Sequence, residues 1–72
     1  MTKSSREIIK MLEADGWLLV RVAGSHHQFK HPIKTRKGYG KAMVTVPHPE
    51  KDIPTGTLRS IYRQAGWDWK RS

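Results

Sequence analysis

The stretch Gly24 to Pro32, GSHHQFKHP, carries three of the chain's four histidines within six residues, behind a Gly-Ser pair. Imidazole has two uses at neutral pH: it ligates metals, and with an unperturbed pKa near ~6.5 it gives and takes protons. Strand alternation separates the histidines. His27, Phe29 and His31 share one face, and His26, Gln28 and Lys30 the other. Phe29 is the only strong apolar residue here, so its face is the core side, where His27 and His31 read as half-buried residues with local hydrogen bonds. A shared metal is not expected. His27 and His31 lie ~13 Å apart along a strand, whereas a zinc ligand sits ~2 Å from its ion, and His26 and His27 point to opposite faces. His26 is left on the solvent face beside the Gly24-Ser25 turn, with Lys30 on the same side. That setting suits phosphoryl chemistry, and on the residues alone it equally fits an ordinary surface histidine. An imidazole moves the proton of an attacking hydroxyl or of a leaving oxygen, lysine stabilises the charge that builds on phosphorus, and Gly24 and Ser25 allow a close backbone approach and a hydrogen bond.

The elements that must hold these residues are legible on either side. Ser4-x-x-Glu7 has the form of a capping box, Ile8, Ile9, Met11 and Leu12 follow at helical spacing, and Asp15-Gly16 ends the run, giving a helix over Ser5 to Ala14. WLLVRV, Trp17 to Val22, reads as a strand alternating Leu18/Val20/Val22 against Trp17/Leu19/Arg21. His26 to His31 is its hairpin partner. Pro32 to Gly40 reads as a basic loop, Lys41 to Pro47 as a third strand with Val44 and Val46 on one face, and HPEKDIP as a loop. Thr55 or Thr57 is expected to cap a second helix, in which Leu58, Ile61, Tyr62 and Ala65 form one stripe that Gly66 terminates. The tail WDWKRS reads as a docked aromatic pair or a frayed end. The order is αβββα, an α+β fold with a three-stranded antiparallel sheet and both helices on one face.

Seventy-two residues are expected to form one domain, 1–72, with a thin core and no enclosed cofactor cavity. No cofactor is expected. The chain has no cysteine, which removes disulfides, zinc-thiolate sites and thiol nucleophiles. No apolar run approaches the ~20 residues of a membrane span, and MTKSSREIIK has no signal-peptide core, so a cytoplasmic protein without a membrane partner is expected. Fourteen Lys and Arg against six Asp and Glu leave a net charge of +8. Such a balance favours a polyanionic partner, nucleic acid or an acidic protein.

LEADGWLLVRVAGSHHQFKHP followed by VTVPHPEKDIPTGTLRSIYRQAGW resembles the HicA family of bacterial toxins, the mRNA interferases of HicA–HicB toxin–antitoxin modules. D-G-W, G-S-H-H-x-F-x-H-P, V-P-H-P and G-T-L-R-S-I occur in that order and span nearly the whole chain. The resemblance implies a double-stranded-RNA-binding-domain-like fold and a metal-independent endoribonuclease acting on mRNA. It also implies that His26, directly after the Gly24-Ser25 pair, is the catalytic residue, with Gly24, Ser25 and His27 as its motif neighbours. A HicB-type antitoxin covering the His26 face is the implied partner. Lys30, Lys34, Arg36, Lys37 and Lys41 are candidate RNA contacts. DIPTGTLR carries no lysine cluster at the second helix, which points to single-stranded message over a long duplex. The alternative is a non-catalytic RNA-binding or adaptor module of the same fold.

Overall fold

The computed structural model describes residues 3–36 and 40–69, and the side chains of all of these except 34–36 and 40–42. The elements are α1 (Ser5–Ala14), β1 (Leu18–Ala23), β2 (His26–Arg36), β3 (Gly40–Pro47) and α2 (Thr55–Ala65). The three strands form one antiparallel sheet in the order β1-β2-β3. The αβββα, α+β arrangement read from the sequence is therefore the observed one.

Both ends of α1 follow from local chemistry. Ser4 Oγ accepts from Glu7 N–H at 3.2 Å, and Glu7 Oε1 accepts from Ser4 N–H at 2.8 Å, closing the expected capping box. The backbone bond from Ser4 holds the Glu7 carboxyl below its ordinary pKa, because it favours the ionised form. At the far end Trp17 N–H reaches back to Leu12 O (2.9 Å) and Gly16 N–H to Glu13 O (3.1 Å), with Gly16 at φ +94°. α2 closes in the same way, Trp67 N–H to Tyr62 O (2.8 Å) and Gly66 N–H to Arg63 O (3.2 Å), with Gly66 at φ +78°. Each helix thus ends in a left-handed glycine followed by tryptophan, the geometry that satisfies its last carbonyls.

One carboxylate joins the two endings. Asp15 Oδ2 accepts from the indole N–H of Trp17 and of Trp67, each at 3.0 Å. The core lies between the helices and one face of the sheet: Ile8, Leu12, Trp17, Phe29, Val44, Val46, Ile53, Leu58, Ile61, Tyr62 and Ala65 are all buried. The stripe expected of α2 is entirely inside. Trp67 and Trp69 pack edge-on against Tyr62, so the tail is docked as far as Trp69. Residues 70–72 lie outside the described residues.

Three expectations change. Neither Thr55 nor Thr57 caps α2. Pro54 occupies the cap position without a side-chain bond, and its carbonyl accepts from Leu58 N–H at 2.9 Å. The basic segment after Pro32 is not all loop, because β2 runs on to Arg36 and β3 begins at Gly40, with Thr35 opposite Lys41 and Arg36 opposite Gly40. The ladder is interrupted between Lys30 and Thr35, where Pro32 has no N–H to offer it. Ile53, inside the Pro-punctuated loop, is fully buried.

The third change concerns β1. Leu19 pairs with Phe29, but Arg21 pairs with Gln28, so Val20 is an extra residue in a bulge. The bulge reverses the alternation beyond it. Val22 joins Leu19 on the helix side, and Arg21 moves to the open side. Both helices contact β3, which leaves β1 outside the covered part of the sheet. Leu18, Leu19, Val20 and Val22 are accordingly all half exposed.

Candidate functional site

The Gly24-Ser25 turn joins β1 to β2 with Gly24 at φ +59°, a conformation that side chains with a Cβ disfavour. Ser25 O accepts from His48 N–H at 2.8 Å, which ties the turn to the end of β3. His26 opens β2 between two register partners, Ala23 on β1 and Pro47 on β3. Its side chain is exposed. Pairs that stand opposite each other share a face, so His26, Gln28 and Lys30 lie on the open side of the sheet while His27 and Phe29 lie against the helices. The structure therefore separates the histidines as the alternation does.

Arg21 stands closer to His26 on the sheet than Lys30 does, and alternation alone misplaces it. Lys30 is four residues along the strand, ~13 Å away, and pairs with Leu18 and Met43. Arg21 stands two residues before Ala23, the cross-strand partner of His26. That is a diagonal position ~7–8 Å off, on the same open face and exposed. The bulge at Val20 puts it there. A bulge leaves no periodic signal in LLVRVA, so the only sequence cue was an arginine within an otherwise apolar strand. Lys34, Arg36 and Lys41 lie on the β2–β3 extension, and Lys37 falls outside the described residues.

The other histidines have distinct occupations. His31 is half-buried and uses both ring nitrogens: Ile33 N–H donates to Nδ1 at 3.0 Å, which leaves Nε2–H to donate to Asp15 O at 2.7 Å. Its ring meets Trp17 edge-on. His31 is thus the structural residue that the sequence indicates. His27 is half-buried as expected, but the expected local hydrogen bond is missing at one nitrogen: Nδ1 is buried with no partner. The His27 ring instead stands edge-on to His48, centroids 4.9 Å apart. His48 Nδ1 lies 2.6 Å from Ser5 Oγ. Sequence reasoning overlooked Ser5, the one buried polar residue of α1. Among the described residues, no group of three or more His, Cys, Asp or Glu side chains is placed to hold a metal ion.

A small basic α+β protein whose β1–β2 turn presents an exposed histidine beside an arginine is the class that fold and site define together. The chain belongs to the HicA toxin family: the family of the HicA toxin of bacterial toxin–antitoxin systems matches residues 5–67, from the first residue of α1 to the tryptophan that closes α2. It is accordingly a toxin component, of a kind that is paired with an antitoxin. Comparison with curated proteins gave no match. Among the described residues, no helix is long and apolar enough to cross a membrane.

Proposed function

We propose that the protein is an endoribonuclease that cleaves mRNA without a metal ion, with His26 as the proton-transfer residue. The observation that carries this reading is the exposed placement of His26 on the open sheet face at a turn tied down by Ser25 O, with Arg21 diagonally across. In the reaction the 2′-oxygen of a ribose bonds to the adjacent phosphorus and the 5′-oxygen leaves, giving a 2′,3′-cyclic phosphate and a 5′-hydroxyl. His26 takes the 2′-hydroxyl proton or supplies one to the departing oxygen. Arg21, always charged, offsets the negative charge that builds on the phosphoryl oxygens. A HicB-type antitoxin neutralises the toxin by covering this face.

The test is cleavage of single-stranded RNA by the purified protein in excess EDTA, with DNA of the same sequence as control. RNA is cut and DNA, which lacks the attacking hydroxyl, is left intact. His26→Ala folds normally and loses ~10²–10⁴ of the rate. Residual activity within about threefold of the wild type, against that loss, or cleavage that vanishes with EDTA, would transfer the fold and charge to a non-catalytic RNA-binding module. The partner is tested by hydrogen exchange with and without the antitoxin. Protection over Gly24–Lys30 is expected, and protection only at a remote surface rules out direct occlusion.

A further inference from the structure

A second surface lies around the end of the sheet from His26. It is a cleft of about 680 Å³ between the first turn of α1 and the segment after β3, lined in part by Arg6, His48, Glu50 and Lys51. Its volume falls within the range of small-ligand sites. The cleft is close to the turn. Pro47 is the cross-strand partner of His26, and His48 follows it, so one step across the ladder of ~5 Å and one chain step of ~3.8 Å separate the two histidine backbones.

The helix end is not itself an anion receptor. Ser5 N–H is taken by Glu50 O at 2.8 Å and Glu7 N–H by Ser4 Oγ. The informative group is Ser5. Its hydroxyl is buried and accepts from Glu50 N–H at 2.9 Å, so its own proton still needs an acceptor. His48 Nδ1, 2.6 Å away, is the one at hand. With Nδ1 accepting, the ring proton of neutral His48 is on Nε2. Ser5 donating to Nδ1 is the arrangement that satisfies the buried hydroxyl, and it leaves Nε2 of the cleft histidine as a donor. Arg6 and Lys51, both exposed, flank it with two positive charges against the single carboxylate of Glu50.

We propose that this cleft is a phosphate subsite for the RNA strand, in which His48 Nε2–H, Arg6 and Lys51 bind a backbone phosphate next to the one cleaved at His26. The assignment rests on the ribonuclease reading for the identity of the strand, but binding at the cleft is measurable without cleavage.

The probe is a labelled, single-stranded 2′-O-methyl oligoribonucleotide, which has no free 2′-hydroxyl and cannot be cut. Its affinity for the intact protein is measured across a range of salt, and the His48 side-chain resonances are followed by NMR. Arg6→Ala/Lys51→Ala should weaken binding about tenfold or more and lower the log–log salt slope by about 1.4, two single-strand contacts at ~0.7 each. His48→Gln should weaken binding as well, and the oligonucleotide should shift the His48 Nε2–H resonance. If His48→Gln unfolds, the double variant, which alters only exposed side chains, still decides. Unchanged affinity and slope in the double variant overturn the proposal. So does a His48 shift produced by inorganic phosphate but not by the oligonucleotide, which would make the cleft a site for free phosphate. An inactive His26→Ala with an unaffected double variant would leave the ribonuclease reading standing and remove the cleft from it. An active His26→Ala with a weakened double variant would do the reverse.

Discussion

His31 shows how little freedom a half-buried imidazole has once both nitrogens are engaged. It spans β2 and the end of α1, and it constrains the residue beneath it: a Cβ built on Gly16 would lie 2.8 Å from His31 Nε2. Gly24 gives a natural control. It too has positive φ, but a Cβ there meets nothing within 4 Å. Alanine at Gly24 should therefore cost only the left-handed backbone penalty, ~1–2 kcal/mol. Alanine at Gly16 should cost that and also displace the His31 ring from Asp15 O, adding a further ~1 kcal/mol or more for the lost hydrogen bond. Denaturant melts of the two variants give the difference directly. Equal losses would mean that His31 does not bear on Gly16. Among the histidines, the faces of His26, His27 and His31 were legible because Phe29 anchors the alternation. The His48–Ser5 pair was not, since residues 43 apart in sequence leave no local pattern.

At the level of elements, periodicity succeeded where a stripe is buried on regular backbone and failed where the backbone departs from it. Leu58, Ile61, Tyr62 and Ala65 are all buried as the helical spacing requires. Ile61→Ala should destabilise the protein by ~2–4 kcal/mol, the range for truncating a buried aliphatic side chain. A melt that leaves stability unchanged would show that Ile61 does not pack as described. β1 is the counterexample. Its six residues look like a strand with one buried face, yet the bulge at Val20 splits that face and the helices sit over β3. The strand itself was predictable, its phase beyond Leu19 was not, and with the phase went the position of Arg21. Pro32 likewise suggested a loop, but β-branched Ile33 and Thr35 carry the chain on as strand to Arg36.

For the molecule as a whole, the net charge of +8 sets how binding responds to salt. Lys34, Arg36 and Lys41 are attached to the β2–β3 extension that leads away from His26. If they contact a strand bound across the open face, replacing all three with alanine should reduce the log–log salt slope by about 2, at ~0.7 per contact, without abolishing cleavage. An unchanged slope would place the electrostatic surface elsewhere, with Arg59 and Arg63 on α2 as the next group to replace.

The carboxylate shared by Trp17 and Trp67 also orders events in time. Its two donors stand 2 and 52 residues from Asp15, so one is available almost as soon as Asp15 is made and the other only when α2 is complete. Ile8 and Leu12 depend in the same way on Val44, Val46 and α2 for their cover. Docking of α2 therefore completes two things at once, the indole pair on Asp15 and the cover of the core behind the sheet.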